Sequence, residues 1–182
     1  MCGRQRLAMY FSPLQMSKIK GVFGQAERLA GRYFHLTEAQ MGTQRYELRT
    51  LAHLEAHEVD EKAFAHLCKY SIRKEGPVEE GSSYDFYRIC LQDNRILNAI
   101  ERAHSFIRLE SLMLYIAVHE LVHVIRFGSG QADFNAPQVE RLQEEEKVNK
   151  ITRSALHPMT DKDMGLVLDC FSNKFDLLES FN

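Results

Sequence analysis

One nine-residue stretch decides how the chain is interpreted: Ala117-Val118-His119-Glu120-Leu121-Val122-His123-Val124-Ile125. Its apolar positions continue a helical spacing that starts well upstream. Residues four apart in a helix lie one turn apart on the same face, so His119 and His123 can direct two imidazole nitrogens at one point. Glu120 lies beside that face. The uncharged neighbours predict a buried helix, and unpaired polar groups in such a helix are costly.

The spacing His-Glu-x-x-His favours a zinc ion as the shared partner. Zinc accepts imidazole nitrogens at about 2.0–2.1 Å, and Glu120 can take a proton from water at such a site. The simpler alternative is a helix whose polar groups face solvent or a wet groove. A second pair, His53 and His57, lacks the adjacent glutamate and lies among acidic residues. We interpret that pair as a solvated helix face.

At this point the sequence resembles the zincin metallopeptidases, whose branches differ in the third zinc ligand. Arg126 and Ser129 stand where the metzincin branch has glycine and histidine, which excludes that branch. The gluzincin branch takes a glutamate from a following helix, and the segment from Glu144 to Asn149 is similar to that pattern. The resemblance implies Glu145 as the third ligand, with Glu144 as the alternative. Asn149 replaces the aspartate that the family often has there.

The resemblance implies one zinc ion and hydrolysis of a peptide or protein substrate, with Glu120 as general base. It also implies a donor for the developing oxyanion, for which His157 is the first candidate, ahead of Tyr84, Tyr87 and Arg88. The family also implies that the strand beginning at Tyr84 pairs with an extended substrate.

Other functions remain open at this stage. One alternative is a non-catalytic zinc-binding or protein-interaction module derived from the zincin fold, and another is a helical interaction protein with a chance motif. Arg126 lies two turns beyond His119, and we expect it to pair with an acidic residue.

The periodicity predicts a mainly α, or α+β zincin-like, fold with about five or six helices and a small sheet. We expect a single domain over residues 1–182. Its N-terminal part, residues 1–75, is predicted to be helical. Residues 84–182 are predicted to hold a strand, the His-Glu-x-x-His helix, the ligand helix and a C-terminal helix.

Individual elements can be placed from their sequence signals. Helices are predicted over residues 13–32, 137–156 and 160–180. Another is predicted from a Thr37 cap through about Ile72. Residues 94–127 are predicted to form one helix, or two that join near 108–111. Residues 74–83 are predicted to form a loop, and residues 84–93 a strand.

Composition excludes several classes of protein. The 182 residues carry a formal net charge of −2 without a dense basic stripe, which argues against a nucleic-acid partner. No run of 18 apolar residues exists, so no membrane span is predicted. The four cysteines are scattered, which favours free thiols in the cytoplasm, with Cys68, Cys90 and Cys170 as core fillers. The oligomeric state is not predicted.

Overall fold

A computed structural model describes residues 9–73, 83–103, 106–159 and 161–172. This part of the chain is mainly helical, with six α-helices and a small three-stranded mixed sheet, as the sequence predicted. Three short 3-10 turns complete it, at Leu51–His53, Ala56–Glu58 and His157–Met159. The helices are α1 Pro13–Tyr33, α2 Glu38–Gly42, α3 Asp93–Arg102, α4 Leu109–Gly128, α5 Gln138–Leu156 and α6 Lys162–Ser172, and the strands are β1 Tyr46–Thr50, β2 Ala65–Arg73 and β3 Ser83–Leu91.

Helix α4 forms the centre of the fold. It packs against α1, α5 and α6 and also contacts β2 and β3. Met113, Val118 and Leu121 are fully buried along it. The helix is long and apolar enough to cross a membrane by composition, but 78% of its most apolar window is buried inside this fold. A buried helix of this kind is typical of a protein core.

Helix α1 supplies the largest surface against α4. Its N-terminus is set by Ser12, whose side chain accepts a hydrogen bond from the Gln15 amide, while Gln15 caps the Ser12 amide in return. This capping box and Pro13 at the first helical position explain why the helix begins there. Ile19, Phe23 and other buried residues on one face then complete the core.

The sheet has the order β1-β3-β2, with β1 parallel and β2 antiparallel to β3. Successive side chains on a strand point to opposite faces. Tyr87 and Ile89 on β3 are buried, and the Tyr87 ring stacks on Phe127 of α4 at 6.0 Å. The other face of β3 carries Arg88 and Cys90. One face of the sheet therefore packs on the helices, and the other is covered by the segment that holds Glu58.

The helix predicted from Thr37 through Ile72 is wrong beyond its first turns. Thr37 caps a helix with Gln40 as predicted, but α2 ends at Gly42. The rest forms β1, two 3-10 turns and β2, because both strands pair with β3. The N-terminal part of the chain is thus not helical throughout. His53 ends one 3-10 turn and His57 lies in the middle of the next, so they do not share a helix face as predicted.

The remaining boundaries agree more closely with the prediction. The apolar stretch over 94–127 forms two helices, α3 and α4, and the break falls a few residues earlier than predicted. Strand β3 and helix α5 lie where they were predicted. Residues 74–82 of the predicted loop, Thr160, and residues 173–180 of the predicted last helix lie outside the described residues. Cys90 is buried, Cys68 is half-buried and Cys170 is exposed, so Cys170 is not a core filler.

Candidate metal centre

Helices α4 and α5 bring His119, His123 and Glu145 together. The Nε2 atom of His123 lies 3.1 Å from Oε1 of Glu145, and Nε2 of His119 lies 3.5 Å from Oε2. One potential ligand atom from each residue falls within 4.8 Å of the others. Both imidazoles are mostly buried, and the two rings stand nearly edge to face. The three residues that the sequence placed around one ion therefore form one cluster.

The cluster is compact enough to surround one ion. Ligands at about 2.0–2.1 Å from a tetrahedral centre lie roughly 3.3 Å apart. The two nitrogen–oxygen separations, 3.5 and 3.1 Å, are close to that value, and each histidine contacts a different oxygen of Glu145. Burial alone would raise the pKa of Glu145, but its contacts with His119 and His123 hold that pKa well below its ordinary value. The carboxylate is thus ionised, as a metal ligand must be.

An ion pair next to the cluster decides which glutamate faces the histidines. Arg126 donates from Nε and Nη2 to the two carboxylate oxygens of Glu144, at 2.5 and 2.9 Å. Both side chains are about nine-tenths buried. Glu144 is therefore committed to Arg126, and the expected pairing of Arg126 with an acidic residue is confirmed. Glu145, one residue further along α5, turns to the histidines.

Glu120 lies in the same cleft and is 6% exposed. Burial raises its pKa to about 7; nearby His119 opposes this shift, and the negative charge of Glu145 adds to it. A carboxyl group with a pKa in this range can accept and release a proton near neutral pH. The helix thus presents a proton-transfer group beside the cluster, where the sequence placed it.

The cluster opens into a cleft with a volume of about 760 Å³, which is within the usual range for ligand sites. The start of β2 and the preceding residue Phe64 form one wall, while α4 and α5 form another. Rings from several elements make the cleft largely aromatic: Phe64, Tyr115, Phe127, Phe134 and Phe171. Acidic and basic side chains, among them Asp133 and Arg141, also line it.

Stacked rings hold the two histidines from either side along α4. The ring of Tyr115 stacks on His119 at 6.1 Å, and that of Phe127 stacks on His123 at 5.5 Å. Tyr115 also donates a hydrogen bond to Oδ1 of Asn149 at 3.2 Å. The sequence interpretation missed both rings. The signal was the four-residue spacing of Tyr115, His119, His123 and Phe127, which places all four on one helix face.

The histidines lack the outer hydrogen bonds that zinc ligands usually make. A ligating histidine almost always donates its second ring nitrogen to a carboxylate, a carbonyl or water. Nδ1 of His119 and Nδ1 of His123 are buried and have no hydrogen-bond partner among the described residues. Asn149, which stands where the resembling family has an aspartate, bonds Tyr115 instead. The stacked rings of Tyr115 and Phe127 therefore help to orient the two imidazoles.

The structure does not bring the other predicted site residues to the cluster. His157 is exposed at the C-terminal end of α5, where it lines a separate surface depression with Arg153 and Asp169. Arg88 donates to the carboxylates of Glu47 and Glu58 on the far face of the sheet. The contacts of Arg88 are therefore structural, and His157 is not among the residues that line the cleft.

The remaining two candidates also have other contacts. Tyr87 packs its ring against Phe127 and Phe134, and Tyr84 lies under the guanidinium of Arg45. The strand expected to pair with an extended ligand, β3, is instead the central strand, paired on both sides over Tyr87–Leu91. The edge strand that borders the cleft is β2, since in the described sheet it pairs with β3 alone.

Comparisons with protein-family models, curated proteins and solved structures found no match to this chain. The site therefore stands on its own geometry. It is a possible metal site of two histidines and one glutamate, in an aromatic cleft, with a buried carboxyl group beside it. Three protein ligands leave one position of a tetrahedral ion open, as catalytic sites do.

Proposed function

We propose that the protein is a zinc-dependent metallopeptidase of the zincin type, similar to the gluzincin branch. The observation that carries the proposal is the convergence of His119, His123 and Glu145, whose ligand atoms lie within 4.8 Å of one another, with Glu120 buried at the same cleft. A purely structural zinc site usually has four protein ligands. Such a site also has no use for a carboxyl group with a pKa near neutrality.

The residues divide the chemistry between them. His119, His123 and Glu145 would hold the ion, which when bound supplies the Lewis acidity that acidifies water and polarises a carbonyl group. Glu120 accepts the proton of the attacking water on its carboxylate and later gives it to the leaving amine. The aromatic lining reduces the water content of the cleft, which strengthens these electrostatic interactions.

The substrate class follows from the walls of the cleft. The edge strand β2 begins at the cleft, and a free strand edge can bind an extended peptide through main-chain hydrogen bonds. Phe127, Phe134 and Phe171 provide an apolar surface for peptide side chains. We therefore propose a peptide or an extended segment of a protein as substrate, bound along β2 in place of the predicted pairing with β3.

A second function is a zinc-binding module without hydrolysis. The specific observation in its favour is that, within the part of the chain that the structure describes, Nδ1 of His119 and Nδ1 of His123 have no hydrogen-bond partner. Loss of the hydrogen-bond partner of a metal ligand costs about 10- to 100-fold in metal affinity or activity. The module would keep the ion and the cleft for binding a partner peptide without cleaving it.

The metal content of the full chain, purified without chelator, separates these functions when it is combined with a peptide-cleavage assay. The proposed peptidase retains zinc and cleaves peptides from a mixed library, and Glu120→Gln retains zinc but does not cleave. His123→Ala loses the ion at this site. Zinc retention without cleavage in the wild type supports the module. Wild-type cleavage that persists at full rate in Glu120→Gln would overturn the proposed mechanism.

The cellular setting belongs to the same proposal. A cytoplasmic location is supported by the free thiols of Cys68, Cys90 and Cys170. The net charge of −2 supports a protein that acts without nucleic acid, and the deep burial of α4 supports one that acts without a membrane. No observation favours a particular oligomeric state.

A further inference from the structure

A second group of metal-ligating side chains lies on the sheet and shares no residue with the first. His66 and Cys68 are two residues apart on β2 and therefore share a face, and Cys90 lies directly opposite His66 on β3. Nε2 of His66 lies 3.5 Å from Sγ of Cys68. One potential ligand atom from each of the three residues falls within 4.8 Å of the others.

We propose that His66, Cys68 and Cys90 bind one thiophilic metal ion, either Zn²⁺ or Cu⁺. Thiolate and imidazole ligands select these ions over Mg²⁺ or Ca²⁺. Zinc–sulfur bonds of about 2.3 Å place two sulfurs on a tetrahedral ion roughly 3.8 Å apart. Because the ligand atoms all lie within 4.8 Å of one another, side-chain movements of about 1 Å or less bring them to these bonding distances.

The pairing of the strands favours a metal over a disulfide. Cys68 is paired with Arg88, whereas Cys90 is paired with His66, so the two cysteines are diagonal neighbours across the ladder. The Cα atoms of diagonal neighbours are roughly 7–8 Å apart, which is beyond the usual reach of a disulfide. A metal ion between two sulfurs spans a longer distance than one sulfur–sulfur bond. The register therefore suits an ion that bridges Cys68 and Cys90.

The group is partly to fully buried in the fold. Nε2 of His66, which lies against Sγ of Cys68, is the nitrogen placed to serve as a ligand, and the buried Nδ1 of the same ring has no hydrogen-bond partner among the described residues. Cys90 is fully buried. Glu58 and Arg88 pair with each other beside the group, and both act electrostatically on Cys68 and Cys90. Burial has the largest effect on all three groups, because it lowers the pKa of His66 and raises the pKa of both thiols.

The two candidate sites lie on different sides of the sheet. Side chains of β3 alternate, and Tyr87 and Ile89 point to the helices that carry the first cluster. Arg88 and Cys90 point the other way, towards the segment that holds Glu58. His66 also lines the rim of the large cleft because β2 is the edge strand. Loss of one site should therefore leave the other intact.

Metal loading of the full chain under reducing conditions tests this proposal independently of peptidase activity. Cd²⁺ is the first probe, because its thiolate complexes show an ultraviolet charge-transfer band that imidazole and carboxylate ligands do not produce. We expect the band in the wild type and in His123→Ala, and its loss in Cys68→Ser. Cys170→Ser is the matched control, since this exposed thiol lies outside both groups and its removal should leave the band unchanged.

Titrations with Zn²⁺ and Cu⁺ against competing chelators then identify the ion, and we expect His66→Gln to bind that ion at least tenfold more weakly. His66→Gln changes neither cysteine, so it keeps the test valid if Cys68→Ser does not fold. A wild-type protein without the band overturns the proposal. So does a band that persists in both Cys68→Ser and His66→Gln, or a Cys68–Cys90 disulfide in the protein isolated from cells.

Discussion

Arg126 and Glu144 form a two-point ion pair one turn beyond His123, with nitrogen–oxygen distances of 2.5 and 2.9 Å. The pair joins the end of α4 to α5 in the same interface that holds the metal-ligand cluster. Because it occupies Glu144, it fixes the rotation of α5 at which Glu145 meets the two histidines. The ion pair is therefore a positioning device for the third ligand as well as a structural contact.

Arg126→Gln tests this relationship. Removal of one partner of a buried pair leaves an uncompensated charge, so we expect the free energy of unfolding to fall by about 3–5 kcal/mol. If the pair also positions Glu145, zinc affinity should fall by roughly tenfold or more, as for other outer-shell residues. Urea unfolding and zinc titration with a competing chelator measure the two effects.

The control is the exposed ion pair of Lys18 with Glu110, whose side chains are 50% and 42% exposed. Lys18→Ala should cost about 1 kcal/mol or less and should not change zinc affinity. If Arg126→Gln folds with lower stability but binds zinc as tightly as the wild type, the Arg126–Glu144 pair stabilises the fold and does not position Glu145.

Substitution of the two adjacent glutamates gives a sharper result. Glu145→Ala removes a ligand, so zinc retention should fall by at least a hundredfold. Glu144→Ala should destabilise the fold by about 3–5 kcal/mol because it strands Arg126, yet it should retain zinc better than Glu145→Ala does. Elemental mass spectrometry on both variants gives the order, and a reversed order would reassign the third ligand to Glu144.

Acid should destabilise the protein through Glu58, which lies on the other side of the sheet from His119, His123 and Glu145. Burial alone would raise the pKa of this fully buried carboxyl group, but hydrogen bonds from Tyr70, the Glu55 amide and Arg88 lower it to about 2. A group with a lowered folded-state pKa stabilises the fold above its unfolded pKa, and this contribution disappears as the pH falls through the folded pKa. The loss should reach about 3 kcal/mol in order of magnitude between roughly pH 5 and pH 2.

Urea midpoints across this pH range provide the measurement for Glu58. Glu58→Gln should be less stable at pH 7 and should show a flatter decline on acidification. The exposed residue Glu101 in α3 offers the control, because Glu101→Gln should follow the wild-type curve. Parallel curves for Glu58→Gln and the wild type would contradict the assignment.

The sequence predicted the elements whose signals are local. The Thr37 cap, the buried face of α4 and the acidic run of α5 are set by spacings within one segment, and each predicted element begins close to where the structure has it. The same locality explains why His119 and His123 could be named, since they lie one helix turn apart. Glu145 was implied by the family resemblance, and the structure places it beside them.

The rest of the sheet depended on pairing at long range. The segment over residues 46–72 is rich in leucine, alanine and glutamate, which favour a helix by propensity. It forms strands because β3 lies beside it, with Tyr46 opposite Tyr87 and His66 opposite Cys90. The local hint was alternation in β1, where Glu47 and Arg49 share one face and Leu48 takes the other. His157 lines a separate depression and not the cleft, because adjacency in sequence does not by itself bring a residue into the cleft.

Tyr115 should matter for zinc binding through its ring more than through its hydroxyl group. Nδ1 of His119 has no hydrogen-bond partner among the described residues, so the stacked Tyr115 ring adds to the contacts with Glu145 and His123 that restrain the imidazole. Tyr115→Phe keeps the ring and removes only the hydrogen bond to Asn149. Its zinc affinity should stay within about threefold of the wild type. Tyr115→Leu should lose roughly three- to tenfold in zinc affinity, which corresponds to the energy of an aromatic pair.

Zinc titrations on both variants measure these losses, and thermal unfolding confirms that both variants fold. Equal losses would instead assign the restraint to the Tyr115–Asn149 hydrogen bond, which would then replace the aspartate brace of the resembling family.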